Sequence, residues 1–230
     1  PPEEGGWSAR NWLFVKVETD AGIYGIGEAS GWPRVVETAI RDLTPLMLGE
    51  DPCHIEKLWS KMLAAMMGHG MTGVVGAGAM TGIEIALWDI KGKALGVPVW
   101  NLLGGKMRDK VRIYAHAHTK EGARALIDRG YDAIKTGGIP NCVETVSAIR
   151  EEVGPEIDLM VDVHGPPWLT TRDAIALGHA LEDYDLLFFE DPVAPENIES
   201  IARVAEAVDI PIAAGERHAA IWGVQELIER

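Results

Sequence analysis

From Val111 onward, short apolar strands alternate with amphipathic helices about every 25–30 residues, and this rhythm constrains the chain more than any other feature. It is the pattern of βαβ units on a parallel sheet. Five strands are read at Val111–His116, Ala133–Gly137, Leu159–His164, Leu186–Glu190 and Pro211–Glu216. Helices are read near 120–129, 141–153, 171–182, 197–207 and 221–229. Such units build either an open doubly wound sheet or a closed barrel. No GxGxxG or phosphate loop follows the first strand, so the nucleotide-binding open sheet lacks its fingerprint. A barrel takes eight strands. With five strands and a last residue inside a helix, the sequence reads as the first part of a barrel, incomplete at both ends.

Three of these strands end on an acid: Asp162 in LMVDVHG, Glu190 in LLFFEDP and Glu216 in PIAAGER. Barrel active sites form at the carboxyl ends of the strands, so successive strands would aim three carboxylates at one point. Three hard oxygen donors suit Mg²⁺, and without a cation the cluster would repel itself. A single such acid is more often a loop or helix cap than a ligand, and the recurrence on successive strands is the signal. Lys135, in AIKTGG, stands at the same level of the repeat, where a cation can hold a substrate carboxylate and stabilise an enolate. Alone it would read equally well as a strand-end lysine in solvent. His164 lies two residues past Asp162, and strand periodicity puts both side chains on one face, where an imidazole can protonate a departing hydroxyl. A strand histidine without that neighbourhood is usually just packed.

The first half has a different grammar. Asn11–Asp20 alternates apolar and polar residues, and Ala21-Gly22 turns it into Ile23–Glu28, an antiparallel hairpin. Helical spacing follows in 34–48 and Glu56–Met67, then a Gly- and Met-rich stretch, Met66–Gly78. The methionines of 62–71 read as core and loop packing, not a cofactor site. A helix from about Ala79 to Leu95, apolar on most faces, reads as central and buried. The boundary is expected in Leu103–Asp109, giving an α+β domain over 1–108 and the barrel portion over 109–230. The 230 residues, 47% hydrophobic, suffice for substantial cores, and the formal charge of −14 opposes attachment to nucleic acid or anionic lipid. Cys53 and Cys142 show no CxxC spacing, and no apolar run approaches the ~20 residues that span a bilayer, so a cytoplasmic protein is expected.

These residues together resemble the enolase superfamily, specifically its mandelate racemase and muconate lactonizing enzyme family and the acid-sugar dehydratases within it. The hairpin and helices are similar to that family's α+β capping domain, and GIEIALWDIKGKALGVPVWNLLGG to its passage from cap to TIM-type (β/α) barrel. The resemblance implies metal ligands on the third, fourth and fifth strands, here Asp162, Glu190 and Glu216, with Mg²⁺ as the cofactor. Racemases of the family show K-x-K on the second strand, whereas this chain keeps Lys135 and has Gly137 at the second place, which disfavours two-base racemisation. The D-x-H of Asp162 and His164 is similar to that of galactonate-type dehydratases, in which the histidine protonates the leaving hydroxyl. The VHG-PP-W that follows departs from the family pattern after the glycine, which leaves the sugar open.

What the resemblance implies is a Mg²⁺-dependent dehydratase of a sugar acid or related hydroxy acid. The proton α to the carboxylate is removed, Mg²⁺ and Lys135 stabilise the enediolate, and the β-hydroxyl leaves to give a 2-keto-3-deoxy acid. In the family the base is often a histidine on the seventh strand paired with an aspartate on the sixth, which are expected beyond residue 230. Specificity resides in two cap loops that correspond to Pro1–Arg10 and roughly Met66–Gly73, with Trp7 and His69 as candidate substrate contacts and Arg217 and His218 as candidates beside Glu216. An exposed loop Trp or His is more often incidental, and Arg217 could equally pair with a neighbouring carboxylate. A homo-oligomer is expected. A racemase, epimerase or cycloisomerase of the same superfamily is the alternative, and a non-catalytic fragment or scaffold the second.

Overall fold

The computed structural model describes residues 11–67 and 73–230. The chain divides into two compact units, Pro1–Asp109 with Ala219–Ile221, and Lys110–His218 with Trp222–Arg230. No helix of the described residues is long and apolar enough to cross a membrane.

The first unit opens on an antiparallel hairpin of β1 (Leu13–Glu18) and β2 (Tyr24–Ala29), paired from Leu13 opposite Ala29 to Glu18 opposite Tyr24. Helices α1 (Pro33–Met47), α2 (Ile55–Met67), α3 (Val74–Leu95) and the short α4 (Val99–Leu102) follow. Alternation along β1 turns Val15 inward and leaves Phe14 exposed, and the buried set continues through Leu43, Leu58, Met62, Ile83 and Leu87. The hairpin lies against α3 almost backbone to backbone. A Cβ on Gly27 would stand 1.9 Å from the Gly82 carbonyl oxygen, and one on Gly25 the same distance from that of Ala86. Helix α3 starts five residues before the expected Ala79, because Gly78 fits beneath the Ser30 carbonyl, where a Cβ would come within 2.1 Å. The end of the Gly- and Met-rich stretch is therefore helical from Val74, with Gly78 serving close approach. The helix ends at Gly96, in the left-handed region at φ +69°.

The second unit runs β3 (Ala115–His116), α5 (Lys120–Asp128), β4 (Ala133–Gly137), α6 (Cys142–Val153), β5 (Asp158–Asp162), α7 (Thr171–Leu181), β6 (Leu186–Glu190), α8 (Ile198–Ala207), β7 (Ile212–Ala213) and α9 (Ala220–Glu229). The five strands are parallel and lie side by side in chain order. A doubly wound sheet reverses its order at a switch point, whereas sequential winding is that of a (β/α) barrel. One face of the sheet carries Ile134, Leu159, Val161 and Phe189 into a core with Val146, Ile149 and Leu181 of the helices. The other face carries Lys135, Asp162 and Glu190.

Two strands are shorter at the carboxyl end than the sequence suggests. Strand β5 stops at Asp162, and His164 follows in a loop at φ +38°. Strand β7 stops at Ala213, so Glu216 is a loop residue beyond it. The strand-periodicity argument for His164 and the strand-end position of Glu216 are both corrected by these endings.

Candidate functional site

Register builds the site. Gly137 pairs with Asp162, Asp162 with Glu190, and Glu190 with Ala213, so one row crosses four strands. A register shift between β5 and β6 makes this possible. Leu159 pairs with Leu186 but Met160 with Phe188, which brings Glu190, not Phe189, level with Asp162. Irregularities of this kind re-aim side chains near active sites.

Lys135 sits on the same face, one step below the row. Its Nζ donates to Glu190 Oε2 at 2.7 Å and stands 3.0 Å from Asp162 Oδ2, with all three side chains at most 15% exposed. Burial alone would lower the lysine's pKa, but the hydrogen bonds to Glu190 and Asp162 outweigh it and hold the ammonium above its ordinary value. The Tyr114 ring, 5.5 Å from Nζ, adds a cation–π contact, and Tyr114 stacks on His116.

Glu216 joins the same network from the loop after β7. His164 Nδ1 stands 3.3 Å from Glu216 Oε1 and 3.8 Å from Asp162 Oδ2, linking the two acids from the solvent side. Arg217 Nη1 lies 2.9 Å from Glu216 Oε1 and also donates to Asp191 Oδ2, while its guanidinium rests 5.0 Å from the centre of the Trp168 ring. Asp191 is buried. Burial raises its pKa, Arg217 opposes that rise, and the neighbouring carboxylates reinforce it. Of its two readings, Arg217 thus takes the ion pair with neighbouring carboxylates. His218 adjoins them, its buried Nδ1 without a hydrogen-bond partner among the described residues. Trp7 and His69 lie outside the described residues.

The three acids do not meet at one point. Asp162 and Glu190 close on Lys135, while Glu216 turns to His164 and Arg217, and among the described residues no three His, Cys, Asp or Glu side chains are grouped to hold a metal ion. The donor set is nonetheless that of a hard cation. Four carboxylates (Asp162, Glu190, Asp191 and Glu216) meet two obligate cations, Lys135 and Arg217. The buried Asp162 Oδ1 has no hydrogen-bond partner among the described residues. An orphaned, buried carboxylate oxygen in a cluster short of positive charge is what a divalent ion satisfies.

Asp191, Tyr114 and Trp168 escape sequence reasoning. Asp191 follows Glu190 directly and would read as a loop acid; only its burial and the reach of Arg217 across two strand ends show its part.

Residues 5–104 match the family model described as the mandelate racemase / muconate lactonizing enzyme N-terminal domain, and residues 118–230 the one described as enolase C-terminal domain-like. Over 226 residues the chain is 40% identical to D-galactonate dehydratase of Klebsiella pneumoniae, an alignment that covers 90% of this chain and 58% of that protein. Among solved structures, the 3,6-anhydro-D-galactonate cycloisomerase from Zobellia galactanivorans superposes with a TM-score of 0.89 at 34% identity, over 96% of this chain and 64% of that one. An enolase superfamily member from Salmonella Typhimurium gives a TM-score of 0.85 at 33% identity, over 94% and 66%. The chain thus spans less than two thirds of the length of these relatives.

Proposed function

The chain belongs to the mandelate racemase and muconate lactonizing enzyme family of the enolase superfamily, and from that membership we propose that the whole protein is a Mg²⁺-dependent dehydratase of a sugar acid of the galactonate type. One observation carries the reading: Asp162 and Glu190 close on the buried Lys135, His164 links Asp162 to Glu216, and the buried Asp162 Oδ1 has no hydrogen-bond partner among the described residues. Those three carboxylates would hold the cation. Bound there, Mg²⁺ supplies a hard positive charge for the substrate's carboxylate and hydroxyl oxygens.

Lys135 stays protonated in the reading, its charge placed to stabilise the enediolate that forms when the α-proton leaves. A proton next to a carboxylate is too weakly acidic to remove without such a charge. His164, in the loop at the solvent side of Asp162, gives a proton to the departing β-hydroxyl. Each turnover then releases water and a 2-keto-3-deoxy acid. Gly137 supports this over two-base racemisation, because a Cβ there would stand 1.8 Å from the Asp162 carbonyl oxygen and leaves no place for a second lysine. Residues 1–108 are read as the capping domain and 109–230 as the first part of the catalytic barrel. The enzyme is read as cytoplasmic, in keeping with its two free cysteines, and as a homo-oligomer from its resemblance to the family.

Full-length protein with Mg²⁺ and a panel of sugar acids, assayed for 2-keto acids, tests the proposal. Keto acid from a galactonate-type substrate, abolished by chelation and by Glu190→Gln, is the expected result; no product from any substrate overturns it. The cycloisomerase relative motivates a second reading, isomerisation of a related acid. Deuterium entry at the α-carbon without net loss of water would select that one.

A further inference from the structure

Asp191 and Arg217 do nothing in the reaction as described, yet each adjoins a proposed ligand. Asp191 follows Glu190 at the end of β6, and Arg217 follows Glu216 beyond β7. We propose that Asp191 is a positioning residue which, by holding Arg217, keeps Glu216 available as a cation ligand. The inference rests on the metal reading given above.

The geometry is that of an anchored arm. Asp191 is 1% exposed, sits at φ +44°, and donates its backbone N–H to Ala213 at 3.0 Å, so its carboxylate projects from a fixed point between two strand ends. Arg217 reaches back to it. A single nitrogen, Nη1, serves both Asp191 Oδ2 and Glu216 Oε1, and the guanidinium lies over the Trp168 indole. Exposure rises along the chain of contacts, from the buried Asp191 through Arg217 at 28% to Glu216 at 41%. The anchor lies inside and the free carboxylate outside.

Electrostatics gives the pair its purpose. β7 has only two residues, so its ladder does not extend to Glu216, whose carboxylate meets Arg217 and His164 in the loop beyond it. An arginine with no other anion would put its whole charge on Glu216 and compete there with any divalent ion. Asp191 takes up that charge, and the indole face holds the guanidinium plane. Held in this way, Arg217 leaves Glu216 its negative charge.

Titrating Mn²⁺ into full-length protein, followed by electron paramagnetic resonance or calorimetry, tests this without reference to turnover. Asp191→Asn should weaken Mn²⁺ affinity at least about tenfold, since it leaves an uncompensated positive charge beside a ligand. The double variant Asp191→Asn/Arg217→Gln, which removes both charges, should regain most of that loss. Unchanged affinity in Asp191→Asn overturns the positioning role while the metal reading stands. Equal weakening in the single and double variants reduces Asp191 to a packing residue and overturns it too. A wild-type protein that binds no Mn²⁺ overturns the metal reading and this inference together. If Asp191→Asn does not fold, Trp168→Leu takes its place: about threefold weaker binding is expected from the freed guanidinium, and no change overturns the proposal.

Discussion

The two units are built on opposite principles. In Pro1–Asp109 the hairpin meets α3 through glycines, carbonyl against Cα, and the buried residues are apolar. In the second unit lie Lys135, Thr136 and Asp191, the buried polar and charged residues among those described. The helix ends differ in the same sense. In the second unit side chains of Thr119, Thr170 and Asn197 cap α5, α7 and α8, though α6 has no such cap, while α1 and α3 of the first unit begin without one. A unit defined by shape tolerates no added bulk; a unit defined by buried charge tolerates no lost partner. Buried polarity is costly unless it is satisfied, so it concentrates where chemistry requires it.

The largest effect should come from adding bulk to the first unit. Gly27→Val places a branched side chain where even a Cβ would stand 1.9 Å from the Gly82 carbonyl, and backbone on both sides leaves nothing flexible to yield. We expect a loss of more than about 4 kcal/mol, enough to unfold the hairpin and α3. Limited proteolysis should then cleave within residues 11–104 while 110–230 persists. A variant as resistant as wild type would show that the close approach is not what holds this unit.

Removing charge from the second unit comes next. Lys135→Met keeps the volume but leaves Asp162 and Glu190 facing each other in a poorly solvated place. Breaking a buried pair in this way costs about 3–5 kcal/mol. Thermal melts of chelator-treated protein should show that loss, and millimolar Mg²⁺ should restore part of it, because a cation would replace the missing charge. An unchanged melting temperature would mean that the ion network does not form, and the contrast between the units would fail.

The contrast also explains what could be read in advance. Strand β6 ends where its apolar run LLFF gives way to Glu190, because a parallel sheet buried on its helix side favours continuous Leu and Phe. Strands β5 and β7 stop short of His164 and Glu216, since a loop with φ +38° or a two-residue strand leaves no mark on hydrophobic pattern. The register shift at Leu159/Met160 that levels Glu190 with Asp162 is likewise invisible in composition, as it depends on how two strands pair. The three acids were legible as a set because each follows an apolar strand; that Lys135 and His164 stand between them was not. In the first unit Gly76 and Gly78 fall in the stretch read as preceding the helix, because a local pattern does not show that the Ser30 carbonyl packs where a Gly78 side chain would stand.

The smallest effect tests whether charge matters in the first unit at all. Glu50, in the turn before α2, accepts from Lys57 and Lys61 at 2.7 Å each, and Lys61 also donates to the Leu46 carbonyl at the end of α1. The two lysines hold its carboxyl at about 2, below the ordinary 4.5. A depressed carboxyl stabilises the fold above its unfolded value, and the contribution fades as pH falls from about 4.5 toward 2, where the folded group too becomes protonated. Glu50→Gln should therefore lower the melting temperature by about 2 °C or less at pH 7, and the difference from wild type should vanish toward pH 2. Solvent screens this pair, whereas the Lys135 cluster is shielded from it. Should Glu50→Gln prove as damaging as Lys135→Met, surface charge would be supporting the first unit, and shape alone would not explain its fold.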